Sequence, residues 1–296
     1  MQQGARRDAA DLGILGPGVL GLSLAQWAAE CGLKVRLLGR DLEHATRGCM
    51  DIERRWARAT GKGHLSAETQ AAVKARLSPH GFSPDSLQDM DFLLEAIPED
   101  LDRKAAVLAA IGSWEPKHLA ILTGTSSLPV SILAERAGLQ GRLLGFHLFV
   151  PVPRMPVVEL VVPGDVADGL TQQAIGLAER LGKRPIRVRD QPGFAAARMA
   201  LAQGLEAMRL LETGTASAED LDALMTLGYG HPVGPLELSD RVGLDLRLRI
   251  ADGLHAATGE PRFRPPALLR DKVARGETGL RAGRGFFEWD ASGRRK

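Results

Sequence analysis

Residues 12–21 read LGILGPGVLG, and they are the most informative segment for the architecture of the first part of the chain. A short apolar run, typical of a buried strand, ends in glycines with the spacing G-x-G-x-x-G. Apolar residues then recur at helical spacing over 20–31, and a second apolar run follows at 35–38. Strand, glycine turn, helix and strand together make a βαβ unit of about 30 residues. This order predicts a dinucleotide-binding turn.

The glycines of the turn each have a separate physical task in such a site. Gly16 permits the tight turn after the strand, and Gly18 allows the backbone to approach a pyrophosphate. Gly21 lets the helix pack closely against the strand, while the helix N-terminus faces the phosphate charge. We therefore expect Gly16, Gly18, Leu20 and Gly21 to bind the cofactor. A glycine-rich turn without a ligand is the alternative.

The residues that close the second strand bear on which cofactor is bound. An acidic residue is expected there to bind the ribose, but the strand ends at Leu38 and Gly39 follows. Gly39 carries no carboxylate that would repel a 2′-phosphate, and Arg40 could pair with that phosphate. We predict that NADP is favoured over NAD, and that Gly39→Asp reverses the order. In the alternative, Arg40 is merely exposed and Asp41 binds the ribose.

Short apolar runs alternate with helical patterns over the following residues, which is typical of a parallel, doubly wound sheet. Further strands are predicted at 92–96, 119–122, 143–146, 157–162 and 185–188, and helices at 42–77 (interrupted around 61–63), 103–111 and 170–181. The turn-forming segment 190–193 is followed by helical patterns at 195–212 and 218–225. The predicted fold class is therefore α/β, with an N-terminal Rossmann domain over 1–190 and an all-helical C-terminal domain over 191–296.

The composition argues against several classes of protein. The 296 residues are 44% hydrophobic and 25% charged with a net charge of only +2, and no basic run lies among aromatic residues, so nucleic acid is not an expected partner. No apolar segment reaches the length of about 18 residues that suggests a membrane span. Residues 1–11 lack the apolar core of a signal peptide. Cys31 and Cys49 are too few for a disulfide framework or a zinc site, so we expect a cytoplasmic protein without a structural metal.

Several short segments in fixed order resemble the 3-hydroxyacyl-CoA dehydrogenase family, over about residues 12–290. Besides the glycine turn, they are EAIPEDL at 95–101 with Lys104, TSSL at 125–128, GFHLFVPVP at 145–153, VVE at 157–159, PGF at 192–194, GHPVGPLEL at 230–238 and GRGFF at 283–287. The likeness is to the short, single-function type, similar to 3-hydroxybutyryl-CoA dehydrogenase. It implies a nicotinamide-binding domain, a helical domain used for dimerisation and an acyl-CoA substrate.

The resemblance also implies roles for individual residues. Ser126 would hydrogen-bond the substrate oxygen, and Ala96, Glu99 and Lys104 would lie along the nicotinamide side of the cofactor. For Lys104, a solvated charge on a helix is the alternative. The apolar stripes over 195–225 are more than one small bundle can bury alone, which favours a homodimer.

Residues of the type that alcohol oxidation needs occur after the predicted strand 143–146 and on the next predicted strand. A base must take the hydroxyl proton while hydride leaves the carbon, and histidine suits this task near neutral pH. His147 follows an apolar strand, at the end where doubly wound sheets bind ligands. Glu159 lies on a returning strand, from which a carboxylate could hold the imidazole tautomer. We therefore predict His147 and Glu159 as catalytic residues, and the family resemblance adds Ser126 to them.

Three positions depart from the family pattern, because Gly124, Val150 and Ala197 stand where the family usually has asparagine. Loss of such polar groups from a substrate site lowers specificity. The expected reaction is conversion of a 3-hydroxyacyl-CoA to the 3-oxoacyl-CoA, or its reverse. Two alternatives are a dehydrogenase of free 3-hydroxy acids, of the gulonate or carnitine type, and a cofactor-binding protein without catalysis.

Overall fold

The glycine-containing segment folds as strand, turn and helix. The computed structural model describes residues 11–114 and 119–296. In it, β1 (Asp11–Leu15) leads through the glycine turn into α1 (Val19–Glu30), and β2 (Lys34–Gly39) returns parallel to β1. The prediction of a βαβ unit is therefore confirmed. Residues 1–10, which bear on the expectation of no signal peptide, lie outside the described residues.

The described residues divide into two compact units, the first ending at Gln191 and the second spanning Pro192–Lys296. The division falls within the turn-forming segment 190–193. In neither unit does the described part of the chain contain a helix that is both long and apolar enough to cross a bilayer.

The described residues of the first unit form one eight-stranded sheet. Its further strands are β3 (Leu77–Gly81), β4 (Phe92–Glu95), β5 (Ala120–Thr123), β6 (Leu143–Leu148), β7 (Val157–Val162) and β8 (Arg184–Arg189). The order is β3-β2-β1-β4-β5-β6-β7-β8, and neighbours are parallel except for the antiparallel pair β6 and β7. The chain reverses direction across the sheet between β1 and β4, where ligands bind at the carboxyl ends of the strands.

Helices connect these strands, and polar residues mark where several of them begin. The helices are α2 (Leu42–Gly61), α3 (Ala67–Lys74), α4 (Leu101–Ser113), α5 (Val130–Ala137) and α6 (Asp168–Arg180). The side chains of Asp41, Ser66 and Asp100 accept a backbone N–H from the first turns of α2, α3 and α4. Every residue of β4 and β5 is buried, as expected for strands covered on both faces.

The edge strand β3 is absent from the sequence-based prediction, which continued a helical passage to residue 77. The helix instead ends at Lys74, and Leu77–Gly81 pairs with β2. Pro79 obscured this strand, because proline is rare in sheet interiors but is tolerated on an edge such as this one. His147 also differs slightly from expectation, since it lies within β6 and not after it.

The second unit is helical, which confirms the predicted fold class. It contains α7 (Ala196–Glu212), α8 (Ala218–Ala223), a π-helical turn (Leu224–Gly228), α9 (Pro235–Val242), α10 (Leu244–Thr258) and α11 (Ala267–Ala274). The buried Asp240 carboxylate on α9 accepts the backbone N–H groups of Phe286 and Phe287, both at 2.9 Å, and the indole N–H of Trp289 at 3.0 Å. These bonds anchor the C-terminal segment to the helices.

Candidate active site

The turn between β1 and α1 has the geometry that a dinucleotide pyrophosphate requires. Gly16 has a φ of +109°, which favours glycine, and its N–H donates to the Leu38 carbonyl at 2.9 Å. A Cβ on Gly21 would lie 1.9 Å from the Gly16 carbonyl oxygen, so the helix can approach the turn this closely only with glycine there. A Cβ on Gly18 would meet no protein atom within 4 Å, which leaves open space above the backbone.

The N-terminus of α1 presents backbone N–H groups and the positive end of the helix dipole to a ligand in this open space. Gly18 has no side chain to cap the helix, and the first turn of α1 carries no acidic residue. The first N–H groups of a helix have no partner within the helix, and the helix dipole favours an anion beside them. Val19 is 81% exposed at this point. The turn and helix therefore fit a phosphate-containing cofactor.

Gly39, at the end of β2, is packed too closely against the start of α2 to carry a side chain without strain. Gly39 is the last residue of β2, and a Cβ on it would lie 2.6 Å from the backbone nitrogen of Ala45. The Gly39→Asp substitution would therefore require the start of α2 to shift. Reversal of the cofactor preference by this substitution stays a prediction, with a steric cost that the sequence pattern did not reveal.

Asp41 caps α2, because its Oδ1 accepts the His44 N–H at 2.6 Å. This hydrogen bond, together with the neighbouring Arg40 guanidinium, holds the pKa of Asp41 below its usual value. The Arg40 side chain is 75% exposed, and its Nε lies 3.1 Å from Oδ2 of Asp41. Both carboxylate oxygens of Asp41 thus have partners within the protein, whereas the Arg40 side chain remains largely exposed.

The His147 and Glu159 side chains form a buried pair in the sheet. They are direct neighbours across the antiparallel strands β6 and β7, and His147 Nδ1 lies 2.7 Å from Glu159 Oε2. The His147 side chain is 10% exposed and that of Glu159 is 4% exposed. The Phe149 ring lies against the imidazole, with a centroid distance of 4.8 Å. A carboxylate at Nδ1 orients the ring and leaves Nε2 as the other nitrogen for proton exchange.

A second carboxylate organises the loop that carries Ser126. Oε1 of Glu99 accepts the Thr125 hydroxyl at 2.7 Å and the backbone N–H groups of Ser126 and Ser127 at 3.0 and 3.1 Å. Burial opposes ionisation of Glu99, but the Lys104 ammonium and these hydrogen bonds outweigh it and lower the pKa of the carboxyl. The Ser126 hydroxyl is 3.4 Å from the same oxygen, a long contact that a better acceptor could replace.

Lys104 lies in the interior, so its interpretation as a solvated helix charge is wrong. Its side chain is 1% exposed, and its Nζ donates to Glu95 Oε1 at 2.7 Å and to the Ile97 carbonyl at 3.0 Å. Glu95 is 0% exposed and also accepts the Thr123 hydroxyl at 2.7 Å and the Ile97 N–H at 2.7 Å. A further contact of 3.4 Å joins Lys104 to Glu99.

Sequence reasoning named Lys104 and Glu99 but missed Glu95 and Thr123. The available signal was a charged residue at the end of a buried strand, since a buried carboxylate requires a partner. Ala96 follows Glu95, and the Ala96 carbonyl oxygen would lie 2.8 Å from a Cβ on Gly16. Gly16, Ala96, Ser126 and His147 all lie at or just beyond the carboxyl ends of parallel strands, so the topology brings them to one edge of the sheet.

Gly124, Val150 and Ala197, which depart from the family pattern, lie in surroundings that differ from one another. A Cβ on Gly124 would lie 3.0 Å from Cδ2 of Leu20, so the leucine occupies space that a larger side chain would need. Val150 is 54% exposed beside the buried pair, and Ala197 is half-buried on α7 in the second unit.

Comparison with known proteins shows the family. Residues 11–191 match the family model described as 3-hydroxyacyl-CoA dehydrogenase, NAD binding domain, and residues 193–289 match 3-hydroxyacyl-CoA dehydrogenase, C-terminal domain. The chain belongs to the 3-hydroxyacyl-CoA dehydrogenase family. This result confirms the resemblance inferred from the sequence. It also confirms the expectation of a nicotinamide-dependent oxidoreductase of the 3-hydroxyacyl-CoA dehydrogenase type.

Individual members of the 3-hydroxyacyl-CoA dehydrogenase family match over nearly the whole chain. A probable 3-hydroxybutyryl-CoA dehydrogenase of Bacillus subtilis is 33% identical over 279 residues, covering 94% of this chain and 96% of that protein. The mitochondrial hydroxyacyl-coenzyme A dehydrogenase of Homo sapiens is 33% identical, covering 93% and 90%. The crystal structure of (S)-3-hydroxybutyryl-CoA dehydrogenase from Ralstonia eutropha is 33% identical, with a TM-score of 0.88 and coverage of 96% and 100%.

Proposed function

We propose that this chain transfers a hydride between a nicotinamide cofactor and the C3 carbon of a 3-hydroxyacyl-CoA, with His147 as the base and Glu159 as its partner. The observation that carries the proposal is the buried contact of 2.7 Å between these two side chains. It lies at the sheet edge that also holds the glycine turn, so base and cofactor act on the same side of the sheet.

In the oxidation direction, the substrate hydroxyl gives its proton to Nε2 of His147. The Glu159 carboxylate then faces the imidazolium that forms and stabilises its charge. C3 gives up a hydride, for which a bound nicotinamide would supply the acceptor, so the alcohol loses one proton and one hydride and becomes a ketone. Ser126 donates its hydroxyl to the same substrate oxygen after releasing its long contact to Glu99.

The cofactor is assigned to the turn formed by Gly16, Gly18, Leu20 and Gly21, with its pyrophosphate at the N-terminus of α1. The nicotinamide side would lie along Ala96 and Glu99. Lys104 supports this region from beneath, because its donors are directed to Glu95, the Ile97 carbonyl and Glu99. Its role is to hold the 95–99 segment in place.

NADP is our proposed preference at the adenine ribose. Support comes from the absence of a carboxylate at Gly39, the engagement of Asp41 in capping α2, and the exposed guanidinium of Arg40. A 2′-phosphate would meet one charge-assisted donor there and no free carboxylate within residues 39–41.

The second unit is proposed as a substrate and dimerisation domain over residues 191–296. Its described surface exposes Met199 at 74%, Leu224 at 61%, Leu227 at 86% and Tyr229 at 78%. Exposed apolar side chains of this size favour burial by a second copy of the chain. Sedimentation at micromolar concentration is expected to give a dimer, and a monomer would contradict the assignment. We also place the protein in the cytoplasm, because Cys31 and Cys49 are both free thiols.

The experiment that tests the function is a turnover assay of the full chain. Both oxidised cofactors are combined with 3-hydroxyacyl-CoA thioesters of several chain lengths and with the corresponding free acids, and reduced nicotinamide is followed by absorbance. Turnover of thioesters is expected. Preference for the free acids would show that the substrate class is wrong, and cofactor binding without any turnover would show that catalysis has been lost.

A further inference from the structure

Lys183 is a buried lysine that the proposed chemistry leaves unused. It lies between α6 and β8, and only 4% of it is exposed. Its Nζ donates to the Val152 carbonyl at 2.5 Å and lies 4.7 Å above the Trp27 ring centre. Within the described residues, no carboxylate forms an ion pair with this ammonium. Burying a charged group without an ionic partner costs free energy. The role of Lys183 is therefore sought in its hydrogen bond to Val152.

Val152 is the midpoint of the connection between the two strands of the buried pair. β6 carries His147 and ends at Leu148, and β7 begins at Val157 and carries Glu159. The connection 149–156 contains a short 3-10 turn at Val152–Arg154. Phe149, which packs on the His147 ring, belongs to the same connection.

One hydrogen bond joins this connection directly to α1, the helix that starts at the glycine turn, and Lys183 joins the two indirectly. Besides the Lys183 bond, the Val152 N–H donates to the Ser23 hydroxyl of α1 at 3.3 Å. The Trp27 indole N–H donates to the Leu181 carbonyl at 2.8 Å, which fixes the ring beneath Lys183. Ser23 and Trp27 are one turn apart on α1 and therefore share a face. Lys183 thus ties the phosphate-binding helix to the segment between His147 and Glu159.

We propose that Lys183 is a positioning residue, which holds the 149–156 connection against α1 so that the base and the cofactor keep one spacing. The inference rests on the proposed function, in which proton and hydride leave the same alcohol for two acceptors. Both acceptors must stand at reacting distance together, and a displacement of about 1 Å can cost about 100-fold in rate. Binding of either ligand alone does not depend on that spacing.

The principal test is Lys183→Met, which keeps the length and burial of the side chain but removes its N–H donors. We expect kcat to fall about 10- to 100-fold, with the Kd of the cofactor and the KM of the acyl-CoA unchanged. The matched control is Arg184→Met, which removes the exposed cation of the next residue and should keep wild-type kcat. Unchanged kcat in folded Lys183→Met protein, or an equal loss of cofactor affinity, would overturn the positioning role.

Two further measurements cover the other outcomes. Ser23→Ala removes the second hydrogen bond to Val152, and Ser23 is only half-buried. This variant serves as the test if Lys183→Met does not fold. In that case, a normal kcat in Ser23→Ala overturns the proposal. Hydrogen exchange of residues 149–156 should be faster in Lys183→Met than in the wild type or Arg184→Met, and equal exchange would also overturn it. Exchange needs no substrate, so a wild-type chain without turnover would refute the proposed function separately.

Discussion

His147 Nδ1 and Glu159 Oε2 lie 2.7 Å apart across two antiparallel strands, with both side chains almost entirely buried. Because the pair is in direct register, the backbone of the sheet sets its distance. In this environment the carboxylate is a fixed partner for an imidazolium and is not replaced by water. We therefore predict that the two residues act as one unit.

The first prediction concerns that unit. His147→Ala should lower kcat by about three orders of magnitude, and Glu159→Gln by about two, because proton abstraction loses its base or the partner of that base. Cofactor affinity, measured by calorimetry, should be unchanged in both. The control Glu179→Gln changes an exposed carboxylate on α6 and should be silent. Near-normal turnover of His147→Ala would show that another base acts.

The second prediction separates the glycines of the turn by what surrounds them. Gly21→Ala should destabilise the chain and abolish cofactor binding, since its Cβ would lie 1.9 Å from the Gly16 carbonyl oxygen. Gly18→Ala should melt at the wild-type temperature but bind the cofactor about 10- to 100-fold more weakly, because its methyl group occupies the approach of the pyrophosphate. Thermal melting and cofactor titration measure the two effects. Wild-type affinity in Gly18→Ala would place the pyrophosphate elsewhere.

The third prediction compares two lysine–glutamate pairs of similar length. Lys104→Met leaves the Glu95 carboxylate buried without its cation and should cost about 3–5 kcal/mol of unfolding free energy. Lys74→Met breaks an exposed pair, 2.8 Å long, with Glu53 and should cost less than about 1 kcal/mol. Urea unfolding measures both. Equal effects would mean that burial does not determine the contribution of these pairs.

The fourth prediction is a pH dependence of stability. Glu99 has a pKa lowered from the ordinary 4.5, so its ionisation stabilises the folded state above pH 4.5, and this contribution is lost as the pH falls through the lowered value. Melting temperatures of the wild type should therefore decrease more steeply below pH 4.5 than those of Glu99→Gln. Parallel curves would show that the Thr125–Ser127 loop does not depend on this carboxylate.

The fifth prediction is cofactor preference. NADP should bind more tightly than NAD, and Arg40→Ala should weaken NADP about tenfold while leaving NAD unchanged, because one charge-assisted contact to the 2′-phosphate is lost. Arg47→Ala, which changes an exposed arginine on α2 that pairs with Glu43, is the control. Tighter binding of NAD by the wild type would mean that Asp41 binds the ribose despite capping α2.

Features that depend on local pattern could be predicted from the amino-acid sequence alone. Residues 12–38 predicted strand, glycine turn, helix and strand because apolar periodicity and glycine spacing are properties of neighbouring residues. The ordered segments from Glu95 to Phe287 likewise indicated the family and the Rossmann and helical parts, since motif order survives in the linear chain. His147 and Glu159 could be named together for the same reason.

Features that depend on residues far apart in the chain became visible only in the folded protein. The edge strand Leu77–Gly81 exists because β2 offers it a partner, and the burial of Lys104 depends on β4 and α4 meeting. The steric limit at Gly39 comes from the first turn of α2, and the contact of Lys183 with Val152 joins residues 31 positions apart. Long-range packing sets these distances and dielectric surroundings, and a linear pattern contains neither quantity.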